Sequence, residues 1–321
     1  MKIVVYEHFT SGALQGDDLP AELAAEGDAM LQAIVADMLQ NTPLQPLILR
    51  DSRLSPVADC DNRLIKNSDQ YQTLWPQLLA DENYFLLIAP EMGGILQQLA
   101  EAVLAAGKIL LGSSPAAIAL CSDKLRCGQF LQQHDLPTMH SQHAADWLNQ
   151  PAFDGAVVCK PNDGAGCVDT YYFQESHSAR RYLLNLPVSQ RQQQIVQPYI
   201  TGKAMSLSLF IDKQAQILSL NQQTITINKQ IHYQGSVVDV PYPATFSKAQ
   251  AQLLVDDLLL ALPGLSGFVG VDIIISDEKT LIVDINPRLT TSFNQLTQSG
   301  LSPAGLLYQS LIQSATGSVY G

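Results

Sequence analysis

The first 112 residues constrain the fold most, because short apolar runs alternate there with segments of helical periodicity. Residues 2–6 (KIVVY), 46–50 (PLILR), 84–89 (YFLLIA) and 108–112 (KILLG) are runs of strand length. From Glu22 to Gln40, Leu23, Met30, Leu31, Ile34, Val35, Met38 and Leu39 recur at helical spacing, and Asn41-Thr42-Pro43 stops that helix. Residues 68–80 and 94–106 read as two more helices. Short buried strands separated by helices predict a parallel α/β sheet. Ligands on such sheets sit beyond the carboxyl ends of the strands. Those ends carry Glu7-His8-Phe9-Thr10-Ser11-Gly12 and Glu91-Met92-Gly93-Gly94.

The pattern changes after residue 113. Ser113-Ser114-Pro115 caps a helix predicted over 115–134, ending before Pro137. A strand at 156–160 feeds a glycine loop. Over 203–212, Met205, Leu207, Leu209 and Ile211 share one face, and Ser206 and Ser208 the other. More strands follow, then a helix at 247–262 that ends at Pro263-Gly264. Residues 268–276 (FVGVDIIIS) and 280–286 (TLIVDIN) form a hairpin across Asp277-Glu278-Lys279.

Composition removes several classes of function. The chain is 46% apolar and 15% charged, which supplies a packed core. Thirty acidic against 18 basic residues give a net charge of −12, so neither nucleic acid nor an anionic membrane is an expected partner. No apolar run reaches the roughly 18 residues of a membrane span. The start, MKIVVYEHF, lacks the pattern of a secretory signal, so a cytoplasmic location is expected. Cys60, Cys121, Cys127, Cys159 and Cys167 are odd in number and show no metal-ligand spacing, which predicts reduced thiols. His140 and His143 lack the further ligands a zinc site needs.

Chemistry concentrates in four segments. A hairpin turn centred near Glu278 sets Asp272 opposite Asp284, and Asn286 joins them on the same face. Val271, Ile273, Val283 and Ile285 are then expected on the other face. Two carboxylates about 4 Å apart repel by roughly 4 kcal/mol at an effective dielectric of 20. Oxygen ligands of this kind suit Mg²⁺, which keeps waters and bridges phosphates; a solvated polar sheet face is the plainer alternative. Pro287-Arg288-Leu289-Thr290-Thr291-Ser292 follows, and its guanidinium suits a carboxylate or phosphoryl group. Lys160-Pro161-Asn162-Asp163-Gly164-Ala165-Gly166-Cys167 places a lysine before a loop whose small residues let backbone N–H groups approach phosphate. Ser122-Asp123-Lys124 lies within the predicted 115–134 helix, and Val196-Gln197-Pro198-Tyr199-Ile200 connects two apolar stretches. Taken singly, the last three segments read equally as a turn, a solvent-facing lysine and a simple connection.

In this order and spacing the four segments resemble the ATP-grasp superfamily of ADP-forming carboxylate–amine ligases. The resemblance covers about residues 112–300, after an α/β domain of the expected size. It implies an ATP-grasp fold with an N-terminal parallel α/β pre-ATP-grasp domain at 1–113, a small lobe at 114–199 and a large lobe at 200–321. It also implies ATP and Mg²⁺, with Mn²⁺ as an alternative ion. Lys124 and Lys160 would contact nucleotide phosphates, Gly164 and Gly166 would belong to a flap, and 197–200 would form the hinge. There the Pro198 carbonyl and the Ile200 N–H would hold adenine, with Gln197 and Tyr199 beside them. Asp272, Asp284 and Asn286 would hold the metal, and Arg288 the transferring phosphoryl group or a substrate carboxylate. Two positions depart from the family pattern. Asp284 stands where glutamate is usual, and Gln197 and Ala204 stand where glutamates commonly meet the ribose, for which Ser206 or Asp239 would have to substitute.

Tyr6-Glu7-His8, Ser11-Gly12, residues 25–31 (AEGDAML), Ala89-Pro90-Glu91 and residues 286–292 together look like the tyramine–glutamate ligases of methanofuran and methylofuran biosynthesis. That likeness implies small-molecule carboxylate and amine substrates joined through an acyl-phosphate, glutamate and tyramine or a tyrosine-like amine being the first choices. Glu7, Ser11, Glu91, Thr291 and Ser292 are candidate substrate residues, with Glu7 or Glu91 orienting the ammonium group. A D-alanine–D-alanine-type peptide ligase and a nucleotide-binding protein without catalysis are the alternatives. Homo-oligomerisation is left open.

Overall fold

The computed structural model describes residues 1–150, 155–164 and 166–317. Ala165 of the glycine loop therefore lies outside the described residues, as do 151–154 and 318–321. The N-terminal part runs β1 (Lys2–Glu7), α1 (Ala21–Asn41), β2 (Gln45–Asp51), β3 (Asp61–Ile65), α2 (Ser68–Asp81), β4 (Tyr84–Ile88), α3 (Ile95–Ala105) and β5 (Ile109–Leu110). These five strands form a parallel sheet in the order β3-β2-β1-β4-β5. The chain steps outward from β1 to one side and then from β4 to the other, so the order reverses between β1 and β4. A crevice opens at such a reversal, beyond the strand ends. β3 has no counterpart in the sequence reading. As an edge strand it buries only Ile65 fully, so its pattern is mostly polar.

The remainder runs α4 (Pro115–Ser122), α5 (Lys124–Gln133), β6 (Gln142–His143), α6 (Ala144–Asn149), β7 (Val157–Pro161), β8 (Tyr171–Phe173), α7 (Ser176–Asn185), α8 (Val188–Arg191) and β9 (Gln194–Pro198). It continues with β10 (Lys203–Ile211), β11 (Ala215–Asn228), β12 (Gln230–Val237), α9 (Lys248–Ala261), β13 (Gly267–Ile275), β14 (Thr280–Asn286), α10 (Phe293–Leu296) and α11 (Pro303–Gly317). Its nine strands follow the order β14-β13-β10-β11-β12-β8-β7-β9-β6. The chain is thus α/β and then α+β, as the sequence predicts. β6 to β9 and β10 to β14 are joined where the β11–β12 tip meets β8. There the Tyr172 N–H donates to the Lys229 carbonyl and the Ile231 N–H to the Thr170 carbonyl, at 2.8 Å each.

One helix expected over 115–134 is two. Asp123 takes extended backbone (φ −94°, ψ 94°) and its carboxylate accepts the Arg126 N–H, so it ends α4 and caps α5. Apolar spacing continues across the break, which is why periodicity alone does not reveal it. The core between β10, β13, β14, α4, α5 and α9 uses Met205, Leu207, Leu209, Ile211, Val271, Ile273, Ile282 and Ile285. A bulge between Asp272 and Ile273 pairs Ile273 with Ile282, so Ile282 takes the core position that simple alternation assigns to Val283.

A second core joins the parallel sheet to the large antiparallel one, through Ile3, Val5, Ile34, Phe210, Phe268 and Phe293. At its far side Asp37 of α1 caps the C-terminal helix. Its carboxylate accepts the Ser302 hydroxyl at 2.8 Å and the Ala304 N–H at 2.7 Å. The crevice of the first sheet is thereby packed directly against the loop that follows β14.

Candidate active site

Hairpin pairing puts Asp272 of β13 across from Asp284 of β14, as the turn position predicts. Asn286 donates to Asp272 Oδ2 at 3.2 Å, and Gln223 of β11 donates to Asp272 Oδ1 at 2.9 Å. Burial, reinforced by the charge of Asp284, pushes Asp272 up to about 6. Its amide neighbours and Lys124 pull the other way without overcoming this.

Lys124 opens α5 and reaches this pair, with Nζ 2.5 Å from Asp284 Oδ2. Burial opposes its charge, but Asp284, Glu91 and Asp272 outweigh that and raise its pKa. Lys160, near the end of β7, is buried and held down to about 8, first by desolvation and then by the charge of Lys124. Asp284 and Asp272 also act on Lys160, so the two lysines and two carboxylates from four elements share one electrostatic site.

Asn162 sets the spacing of the two lysines. Its carbonyl accepts the Lys124 N–H at 3.2 Å, its Oδ1 accepts the Leu125 N–H at 2.8 Å, and its Nδ2 donates to Asp123 at 2.9 Å. It thus fastens the first turn of α5 to the end of β7. Nothing in the sequence singles it out except its place two residues after Lys160. Gln223 was also missed, because its strand reads as an ordinary polar alternation.

The residues present fit a magnesium ion. Two adjacent carboxylates and an amide stand together, and in this structure a lysine ammonium supplies their positive partner. Among the described residues no three His, Cys, Asp or Glu side chains cluster as a metal set, so an ion here would rely on Asn286 and on phosphate oxygens.

The loop after Lys160 turns through left-handed backbone at Gly166 (φ 63°) and Cys167 (φ 63°). Gly164 packs against Pro161. Asp163 accepts the Gly93 N–H at 2.8 Å, which ties this loop to the N-terminal sheet. At the expected hinge, Pro198, Tyr199 and Ile200 are half-buried. The Tyr199 N–H is taken by the Ala156 carbonyl at 2.9 Å, and its ring packs on Tyr172 at 4.8 Å. Gln197 points inward, donating to Ser141 at 2.6 Å. Ser206 is buried against Asn221, whereas Asp239 is exposed.

Arg288 and Glu91 meet in the crevice, at 2.9 Å (Nε to Oε1) and 3.0 Å (Nη2 to Oε2). Only the second contact has hydrogen-bond geometry, and the first is an ion pair with the N–H turned off line. The other N-terminal candidates are used within the protein. Glu7 is 2% exposed and accepts the Phe9 N–H at 3.2 Å and the Thr10 N–H at 2.7 Å. A Cβ on Gly27 would clash with its carboxylate, so α1 packs directly against it. Ser11 donates to the His8 carbonyl at 3.0 Å. Ser292 is buried between Ser208 and Thr290, 2.9 Å from each hydroxyl, while Thr291 is half-buried and its carbonyl accepts the Asn294 N–H. The structure thus gathers Lys124, Lys160, Asp272, Asp284, Asn286, Arg288 and Glu91, and spends Glu7, Ser11 and Ser292 on holding the walls. All five cysteines are free thiols, and no helix among the described residues is long and apolar enough to cross a membrane.

Comparison with known proteins bears on this arrangement. The chain matches the ATP-grasp domain family over residues 121–292 and the pre ATP-grasp 3 domain over 44–118. It is 33% identical over 124 residues to the tyramine–L-glutamate ligase of Methanocaldococcus fervens, which is 38% of either chain. To the same-named protein of Methanocaldococcus jannaschii it is 31% identical over 100 residues, 30% of either chain. The matched stretch thus spans between 30% and 38% of these relatives' length. An ATP-grasp superfamily protein from Archaeoglobus fulgidus superposes with a TM-score of 0.74 at 24% identity, over 96% of this chain and 88% of that one. The D-alanine–D-alanine ligase of Bacillus anthracis gives 0.64 at 14% identity, over 99% and 98%. The two superpositions show a shared fold.

Proposed function

The chain belongs to the ATP-grasp domain family, and from that premise we propose that it is an ADP-forming carboxylate–amine ligase working through an acyl-phosphate. The carrying observation is the gathering of Lys124, Lys160, Asp272, Asp284, Asn286 and Arg288 from four segments of the chain into one part-buried, charged site. Glutamate is the proposed acid and tyramine or a tyrosine-like amine the proposed partner, a reading supported by the partial likeness to tyramine–L-glutamate ligases. The proposed units are 1–113, 114–199 and 200–321, with the nucleotide between the last two.

Lys124 and Lys160 would take the phosphate oxygens, and a phosphate between them would offset the burial and the repulsion from Lys124 that hold Lys160 low. Asp272, Asp284 and Asn286 would hold Mg²⁺, whose contribution is to neutralise charge gathering on the phosphoryl oxygens. For Lys124, the phosphates would replace Asp284 as partner. Arg288 would hold the acid or the moving phosphoryl group through paired N–H groups. The glycine loop, tied to Gly93 through Asp163, would keep water from the acyl-phosphate. Adenine would lie against the hinge at Pro198 and Ile200.

The test is ADP release with Mg–ATP and glutamate, with and without tyramine, and the product read by mass. The expected result is amine-dependent ADP with one glutamyl amide formed per ADP. Nucleotide binding without ADP formation across a panel of acids and amines would remove the ligase reading.

A further inference from the structure

The pairing of Glu91 with Arg288 gives Glu91 a role other than contact with the amine. Arg288 has five N–H donors in one plane. Nη2 donates to Glu91 Oε2 at 3.0 Å, Nε lies 2.9 Å from Oε1 with its N–H off line, and Nη1 donates to the Leu289 carbonyl at 3.2 Å. Among these contacts one N–H on each terminal nitrogen stays uncommitted. Terminal N–H groups of this kind are what a carboxylate or phosphoryl group takes from an arginine.

Both partners are fixed from behind. The Arg288 N–H donates to the Asn286 carbonyl at 2.8 Å, so the loop turns tightly straight out of the metal-side strand. Glu91 is 8% exposed and its loop is pinned at both ends. Its carbonyl accepts the Gly94 N–H at 3.2 Å, and the Pro90 carbonyl accepts the Leu96 N–H at 3.1 Å. Gly93 and Gly94 take left-handed backbone (φ 64° and 69°), which presents the Gly93 amide to Asp163 of the glycine loop. One short N-terminal loop therefore touches the arginine that follows β14 and the glycine loop that follows β7.

We propose that Glu91 is a positioning residue for Arg288: it holds the guanidinium by the Nη2 hydrogen bond and the ion pair at Nε so that the uncommitted terminal N–H groups face the substrate oxygen. This rests on the ligase reading above. Without Glu91 the guanidinium keeps its charge but loses its orientation, and misplacement by about 1 Å costs roughly 100-fold.

Steady-state kinetics with Mg–ATP, glutamate and tyramine test it on Glu91→Ala and Glu91→Gln. For Glu91→Ala the expected KM for the acid rises roughly 100-fold, while those for amine and Mg–ATP stay within about twofold. Glu91→Gln keeps one acceptor for the fork and is expected to recover about tenfold of the loss. A rise confined to the amine KM would overturn the proposal and make Glu91 an ammonium contact. A second titration needs neither acid nor amine. Protein saturated with Mg–ADP is titrated with inorganic phosphate, which is expected to bind about tenfold more weakly to Glu91→Gln than to the wild type. Equal phosphate binding would overturn the proposal even if amide is made. Weakened binding in a protein that makes no amide would retire the ligase reading and leave the positioning role standing.

Discussion

Two polar clusters lie beside strands of this chain, and burial works against charge in both, but only one sets like charges side by side. At the end of β1, Glu7 and Ser11 find their partners in the adjoining loop. Glu7 accepts two backbone N–H groups and Ser11 meets the His8 carbonyl. In the cluster between β7, β13, β14 and α5, charges oppose their surroundings. Lys160 is held down to about 8 and Asp272 up to about 6, both by burial and by a neighbour of like charge. The first arrangement stabilises a loop. The second costs the empty protein stability, and groups kept at such a cost mark sites that a ligand completes. Burial and two accepted N–H bonds are common to Glu7 and Asp272, whereas a like-charged neighbour is the second-largest influence on Asp272 and Lys160 and the smallest on Glu7.

Removing a member of each cluster sharpens the difference. Lys160→Ala takes away a charge that a phosphate would use, so the KM for Mg–ATP is expected to rise about 10- to 100-fold. The fold should hold or gain, since a desolvated ammonium next to Lys124 is gone. Initial rates against Mg–ATP concentration and a thermal melt read both, and an unchanged nucleotide KM would place Lys160 outside the site.

Glu7 should behave the other way, acting on stability and its pH dependence. Burial raises its pKa from the ordinary 4.5 to about 7 despite the N–H groups it accepts. A carboxyl whose folded pKa lies above its unfolded one favours folding while protonated. Its contribution is full below about pH 4.5 and is lost as pH rises through about 7, a span worth roughly 3 kcal/mol. Glu7→Gln is expected to flatten stability between about pH 5 and 8 and to leave turnover per folded molecule near the wild-type value. Denaturant melts across that range check it. A variant that loses turnover while keeping the wild-type pH slope would return Glu7 to the substrate site.

Much of this site was legible because its chemistry sits on regular elements. Asp272 and Asp284 could be set opposite one another from the position of Asp277-Glu278-Lys279, and the pairing follows. The same alternation fails one residue further on, at the bulge that exchanges Val283 for Ile282. Lys124 was visible, but the break at Asp123 that makes it the first residue of its own helix was not, because capping by a side chain leaves apolar spacing intact. Asn162 and Gln223 act through hydrogen bonds to residues far away in the chain, which no local pattern records. Glu7 and Glu91 look alike in sequence, each acidic and at a strand end. One is enclosed by Gly27 and the other faces Arg288, a distinction that only packing makes.

The most direct measurement is thermal unfolding of the wild type and Asp272→Asn, each with and without Mg–ATP. Asparagine keeps the shape of Asp272, and the Gln223 and Asn286 amides can turn to meet it. If the cluster holds its charges for Mg–ATP, the empty variant should be more stable than the empty wild type by about 1 kcal/mol or more. Mg–ATP at about 100 times its Kd should stabilise the wild type by roughly 3 kcal/mol and the variant far less. A variant that melts lower than the wild type yet keeps the full Mg–ATP shift would make Asp272 a structural residue and contradict this assignment of the site.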